Sequence, residues 1–511
     1  MMFDYIIVGA GSAGCVLANR LTEDPATSVL LLEAGGNDAT VPEIHDPTRA
    51  LALAHTAVDW AYATEEEPHL NNRKISWPRG KVLGGSSSIN YMLYARGNRH
   101  DFDQWQALGN AGWSYADVLP YFKKAENRER GASAYHGVGG PLNVFDLPAI
   151  NPLTEAFIEA GVELGWSRND DSNGASQEGF GAPQFTIRDG KRHSTAVGYL
   201  HPVMSRPNLT VWTETLATRV LFEGTRAVGV TSLKDGSEQQ VRAHKEVILS
   251  GGAINSPQLL MLSGVGPGEH LQKLGIRVVA DVAGVGENLQ DHPSVYTYST
   301  TKPSFSAFGG SPEGNAFVKT QSDLPEPDLQ LIFTPFFFPP VLGKGYTVVV
   351  VLATPQSRGR LTLRSTDPRQ HPAIFANYLA KQEDGEKLIK GIKLVRRLNQ
   401  TKALAAFYQE DAHPGAQLQR AEELVEFVRN NIQTMYHPVG TCKMGQDALA
   451  VVDEQLRVRG TEGLRVVDAS IMPTIVNGNT NAATIMIGEK AADLIKATIS
   501  PALKSLVRLL A

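Results

Sequence analysis

Two segments near the carboxyl terminus carry side chains able to move a proton and hold an oxygen. In Met435-Tyr436-His437-Pro438-Val439-Gly440-Thr441, Pro438 holds His437 in an extended or polyproline-like backbone, so the imidazole rides on a stiff loop. Such an imidazole accepts a hydroxyl proton if it lies within hydrogen-bond reach of it. A loop histidine serves equally well as a structural hydrogen-bonder, and the residues alone leave both readings open. In Asn477-Gly478-Asn479-Thr480-Asn481-Ala482-Ala483-Thr484, Asn481 precedes a helical pattern, where it can cap the helix, bind an oxygen, or do both with different atoms. A third stretch, Gly80-Lys81-Val82-Leu83-Gly84-Gly85-Ser86-Ser87-Ser88-Ile89-Asn90, sets paired glycines before small hydroxyl residues. That composition lets backbone amides approach a flat or anionic group, and ordinary glycine-rich turns share it.

The elements that position these residues begin at the amino terminus. An apolar strand over 5–8 runs into Gly9-Ala10-Gly11-Ser12-Ala13-Gly14, and a helical pattern follows through Leu21. Gly9 permits the tight turn, Gly11 lets the backbone approach a pyrophosphate, and Gly14 allows close helix–strand packing. The helix N-terminus then points at the anion. A second strand over 28–32 ends in Glu33, about twenty residues past the last glycine, where an acid binds a ribose hydroxyl. The combination predicts an adenine dinucleotide. Similar pieces recur far away: a strand from Glu246 into Gly251-Gly252 and a helix over 256–262, then a strand over 464–470 and a helix over 481–495. Parallel strands need long crossovers, so these distant pieces can share one sheet.

Composition sets the outer bounds. At 511 residues, with 42% hydrophobic and 20% charged residues, the chain can bury a large core and form more than one domain. A net charge of −5 without long basic runs argues against nucleic acid as the main partner. The two cysteines, Cys15 and Cys442, form no metal-ligand spacing or disulfide framework, and Cys15 is expected as a buried small residue of the first helix. No secretory signal is expected ahead of the first strand, and no apolar run reaches the ~18 residues that span a bilayer. The tail 501–511 is amphipathic and mildly basic. It is read as a last docked or frayed helix, with peripheral membrane contact or subunit packing as the alternatives.

Between the nucleotide-type pieces, 347–352 and 360–363 read as strands joined by a turn at 356–359. The segments 383–399 and 421–431 have helical periodicity. With 152–195 they predict an antiparallel sheet with helices, closing over the cofactor face where domain interfaces favour ligands. The run 335–340, Pro-Phe-Phe-Phe-Pro-Pro, is expected to pack against this sheet, with pocket lining as the second reading.

Gly80–Asn90 with its continuation to Asp103, and Gly252–Gly266, carry a resemblance. The chain resembles the glucose–methanol–choline (GMC) oxidoreductases, flavoproteins that oxidise alcohols with FAD. The resemblance runs from Asp4 to about Ile495 and includes Gly286-Glu287-Asn288-Leu289-Gln290-Asp291-His292 and Val467-Asp468-Ala469-Ser470. It is strongest to bacterial choline-dehydrogenase-like members, although a shorter stretch after Thr301 argues against choline itself.

The resemblance implies an α/β fold: a Rossmann-like FAD-binding domain in pieces (1–151, 196–300, 431–497) and an antiparallel-sheet substrate domain (152–195, 301–430), followed by a tail (498–511). It implies His437 as catalytic base and Asn481 as its partner. The helix after Asn481 would favour the anion of a reduced flavin. FAD would be bound by Gly9, Gly11, Ser12, Ala13, Gly14, Glu33, Ala34, Val82, Gly84, Gly85, Asn90, Met92, Leu93, Val220, Gly251, Tyr436, Asp468, Ala469, Asn481 and Thr484, with Asp468 as a positioning residue. Members with covalently attached FAD place a histidine where this chain has Ile89, so non-covalent FAD is expected. No metal is expected. The implied reaction is oxidation of a primary alcohol, or of an aldehyde hydrate, with electrons passing to a quinone or dye-like acceptor. An oxidase releasing peroxide is the alternative, and a photodecarboxylase or lyase on the same fold is a further one. A cytoplasmic enzyme, or one peripheral on the inner face of the membrane, is expected.

Overall fold

The computed structural model describes residues 1–302, 312–338 and 343–497; the predicted tail helix lies outside them. The sequence Met2–Val8 forms the middle of a seven-stranded sheet. Ile6 and Ile7 are fully buried, as a strand covered on both faces requires. The strands lie in the order Leu209–Trp212, Val29–Leu32, Met2–Val8, Ser237–Leu249, Arg226–Lys234, Leu216–Glu223, and Leu464–Val466 also pairs with Ser237–Leu249. The pairs formed by Val29–Leu32, Met2–Val8 and Leu464–Val466 are parallel, whereas Arg226–Lys234 runs antiparallel to its neighbours. Val8 is in register with both Leu32 and Leu249, so three parallel strands end level with one another. Segments distant in sequence thus share one mixed sheet, with a parallel core.

The helices are α1 (Ser12–Leu21), α2 (Arg99–Ala107), α3 (Tyr115–Ala125), α4 (Pro152–Glu163), α5 (Gly252–Leu262), α6 (Gly268–Lys273), α7 (Gln382–Asn399), α8 (Lys402–Ala405), α9 (Ala421–Asn431) and α10 (Asn481–Ala497). Helix α5 starts four residues earlier than the sequence predicts, because Asp468 accepts hydrogen bonds from Gly252 N and Ser256 Oγ and fixes its first turn. Cys15 is fully buried in α1, as expected.

A second seven-stranded sheet is antiparallel throughout. Its order is Tyr408–His413, Pro293–Thr301, Gly345–Leu352, Leu329–Thr334, Gly314–Val318, Gly179–Gly181, and Gln433–Thr434 pairs with Pro293–Thr301. Here the sequence reading needs a correction. The strands Gly345–Leu352 and Arg360–Thr362 form no hairpin, for the latter pairs with Ala373–Phe375 in a separate two-stranded ribbon. The turn predicted at 356–359 is instead held by the Asp384 carboxylate, which accepts from Gln356 N, Ser357 N and Ser357 Oγ. The chain is thereby diverted from its own sheet.

Candidate active site

A cavity of about 310 Å³ opens where the parallel strands end, the place where open α/β sheets take ligands. Val8, Leu32 and Leu249 line it, and so do the first residues of three helices: Ser12 and Ala13 of α1, Gly252 and Ala253 of α5, and Asn481 and Thr484 of α10. Three helix N-termini, each with its positive dipole end, therefore meet at one volume. Close packing builds the turn. A Cβ on Gly14 would lie 1.9 Å from Gly9 O, so only glycine lets α1 approach the first strand. Gly85, at φ +53, brings a second glycine turn against the first, where a Cβ would lie 2.7 Å from Gly11 Cα.

Most of the residues predicted to hold the cofactor reach this cavity: Gly9, Gly11, Ser12, Ala13, Glu33, Ala34, Gly85, Asn90, Met92, Leu93, Gly251, Tyr436, Asp468, Ala469, Asn481 and Thr484 line it, together with His437. Gly14, Val82, Gly84 and Val220 do not. Gly14 is taken up by packing, Val82 is fully buried beside Gly36, and Gly84 N donates to Ala10 O. Val220 N donates to Ser263 Oγ, and Thr215, Leu216 and Ala217 take the cavity wall in its place. Glu33 accepts from Ala10 N and Gly35 N, one bond on each oxygen, and burial pushes its carboxyl up to about 7. Asp468 is likewise occupied by Gly252 N, Ser256 Oγ and Ser470 N. The run 335–340 divides between both readings where it is described. Phe337 packs on Tyr298, whereas Phe338 lines the cavity.

His437 sits in the cavity wall with its ring nitrogens already assigned. Its Nδ1 lies 3.0 Å from Nδ1 of His292, and the far nitrogen of His292, Nε2, lies 3.1 Å from Ala353 O. A carbonyl only accepts, so His292 carries its hydrogen on Nε2. Burial pushes the His292 imidazole down to about 4, so the ring is neutral and its Nδ1 is an acceptor. His437 must then donate from Nδ1, which leaves a lone pair on its Nε2. The ring of His437 is held well below the ordinary histidine range by burial, by His292 and by the Arg79 cation. Its backbone is fixed as well. Asp291 Oδ1 accepts from His437 N, Asp291 Oδ2 accepts from Thr434 Oγ1 and Tyr378 Oη, and Arg79 donates to Tyr436 O. Tyr436 has φ +63, a left-handed conformation that costs about 1–3 kcal/mol and is kept where surroundings over-determine it.

The neighbour of the base differs from the sequence reading. Asn479 Nδ2, not Asn481, lies 3.2 Å from His437 Nε2. The side chain of Asn481 turns the other way, and its Oδ1 accepts from Ser12 Oγ at 2.6 Å. The cause is the helix boundary. Asn481 is the first residue of α10 and packs beside the start of α1, whereas Asn479 still belongs to the loop facing the base. Asn479 Oδ1 is buried and has no hydrogen-bond partner among the described residues. His292, Arg79 and Asn479 are the site residues that pattern reading missed. His292 stood within a quoted motif, and Asn479 stood two positions from the residue chosen.

Models of the GMC oxidoreductase family match residues 3–294 and 355–488. Human mitochondrial choline dehydrogenase is 48% identical, the match covering 97% of this chain and 90% of that protein. The oxygen-dependent choline dehydrogenase of Escherichia coli strain K12 is 47% identical, over 97% and 96%. Among solved structures, pyridoxine 4-oxidase from Mesorbium loti is similar with a TM-score of 0.92 at 33% identity, covering 98% of this chain and all of that one.

Proposed function

The chain belongs to the GMC oxidoreductases, flavoprotein enzymes that act on CH–OH donors, and from this premise we propose that it oxidises a primary alcohol to the aldehyde, using non-covalently held FAD and a quinone-type electron acceptor. The observation that carries the reading is the lone pair of His437 Nε2 in the cavity wall, beside the Asn479 amide.

The residues present fit FAD. The glycine turns remove the Cβ atoms that would close the nucleotide end, the start of α1 lines that end, and Glu33 keeps free lone pairs there. Gly9, Gly11, Ser12 and Glu33 would hold the adenosine diphosphate half. Asn90, Met92, Ala469 and Thr484 would border the remainder. When bound, FAD supplies the hydride acceptor.

The chain's own residues do the rest. His437 Nε2 takes the hydroxyl proton, and Asn479 Nδ2, which donates to that nitrogen at 3.2 Å, turns its N–H to the oxygen as negative charge grows on it. Proton uptake turns His437 into an imidazolium, whose Nδ1–H remains bonded to the neutral His292. The Asp291 carboxylate behind the loop offsets the new charge. His292 thus acts as a positioning residue that fixes which nitrogen of His437 is the base.

The test is anaerobic mixing of holoenzyme with primary alcohols while following flavin absorbance, then adding a quinone or air. Bleaching by an alcohol and recovery with quinone is the expected result. Recovery with stoichiometric peroxide in air would make the enzyme an oxidase, and absence of bleaching by any alcohol would overturn the reading.

A further inference from the structure

The end of the cavity around His437 is built from the second sheet. Tyr296 faces Val349 across one strand pair, and Val349 faces Ile332 across the next. These three therefore form one patch of sheet surface in the cavity wall. Met92, Leu93, Tyr91 and Met435 pack with them into a single apolar cluster. Phe338 packs on both tyrosines, its ring centroid 5.7 Å from Tyr91 and from Tyr296.

Three features of this wall bear on the substrate. The first is charge. Among the described residues, the acidic side chains lining the cavity are Glu33 and Asp468, and both lie at the strand ends of the first sheet, occupied by backbone amides and Ser256. Asp291 has its oxygens taken by His437 N, Thr434 Oγ1 and Tyr378 Oη and does not line the cavity. The charge that does face this end is the Arg79 cation. Residues 303–311 and 339–342 contain no Asp, Glu, Lys or Arg in sequence. The second feature is ring packing. Quaternary ammonium groups are recognised by open cages of ring faces, but here Phe338 packs directly on both Tyr91 and Tyr296, edge-on to the first and tilted to the second. The third is unspent hydrogen bonding. The hydroxyls of Tyr91, Tyr296 and Tyr436 make no hydrogen bond to the described protein, and all three residues line the cavity. A half-enclosed O–H without a partner is costly, and a ligand oxygen removes that cost.

Resting on the alcohol-oxidation reading, the geometry points to a substrate class: an uncharged alcohol with a flat apolar body that carries a neutral oxygen, a phenol or ether, at the end away from the reacting carbinol. The carbinol meets His437 and Asn479, the body lies on Ile332, Val349 and Met435, and the distal oxygen accepts from the tyrosine hydroxyls. A cationic alcohol finds no counter-charge here and is repelled by Arg79.

Single-turnover flavin reduction of the holoenzyme by para-methoxybenzyl alcohol, benzyl alcohol and choline tests this. The methoxy compound should exceed benzyl alcohol by about fivefold in second-order rate constant, the worth of one net hydrogen bond, and choline by about a hundredfold or more. In Tyr296→Phe and Tyr91→Phe the ratio of methoxybenzyl to benzyl alcohol should fall toward unity, a discrimination that a merely structural role would not change. Choline reducing the flavin as fast as the aryl alcohols would overturn the inference while leaving alcohol oxidation intact. So would a ratio unmoved by both variants. Failure of every alcohol would remove the underlying reading instead.

Discussion

Asn479 and Asn481 stand two residues apart, yet one meets the base and the other meets Ser12. Their replacement by alanine should therefore separate two functions. Asn479→Ala loses a donor to the developing alkoxide and should slow flavin reduction by about 10²-fold with FAD retained. Asn481→Ala should leave that rate within several-fold and lower flavin occupancy, because Ser12 at the start of α1 loses its acceptor. Stopped-flow rates and the flavin-to-protein ratio distinguish them. The asparagine-rich motif was legible in sequence. Which asparagine faced the base was not, since that depends on where α10 begins. Ile89 gives a second prediction at this scale. It lines the cavity and offers no nucleophile, so acid precipitation should release all the flavin, and colour left on the pellet would contradict non-covalent binding. The base also predicts a pH response. A depressed His437 stays unprotonated at neutral pH, so the acid limb of the flavin-reduction rate should fall well below the ordinary histidine value of about 6.5.

The glycine turn between Met2–Val8 and α1 was readable from spacing alone, because the steric demand that selects glycine is local. Gly14→Ala would put a methyl 1.9 Å from Gly9 O. Backbone cannot yield there cheaply, so a loss of about 1–3 kcal/mol or more is expected, seen as a lower melting temperature and poor flavin retention. An unchanged melting temperature would mean that α1 moves freely, contrary to the structure. The strand at 360–363 shows the opposite case. Its existence was legible from alternation, but its partner was not, since the Asp384 carboxylate on α7 redirects the preceding turn. Side-chain traps of this kind join segments far apart in sequence and leave no local pattern.

Across the whole molecule, the loop that carries Asn479 is tied to α2 and, through it, to the approach to the second sheet. Asp101 on α2 accepts from Asn98 N and Asn477 N, and its carboxyl interacts with Glu326, which precedes a strand of the second sheet. Burial and the Glu326 charge raise the Asp101 carboxyl well above its ordinary value. A raised acid keeps its proton in the folded state, so its contribution to stability is full at low pH and is lost as pH rises through the folded value. The melting temperature should therefore decline as pH rises above the ordinary aspartate value of about 3.9. Asp101→Asn, which keeps two acceptor bonds and a donor toward Glu326, should flatten that decline, and an unchanged slope would assign it elsewhere. That distant strands share one sheet followed from apolar runs and glycines spaced along the chain. The wall of the reacting end did not, because Tyr91, Tyr296, Phe338 and Met435 come together only when the second sheet closes over the first.

The central claim is that His437 Nε2 removes the hydroxyl proton. The most direct measurement is anaerobic flavin reduction in His437→Ala holoenzyme with an alcohol that bleaches the wild-type flavin. The variant should keep its FAD and be reduced about 10²-fold or more slowly. A flavin-loaded variant reduced at close to the wild-type rate would contradict the account.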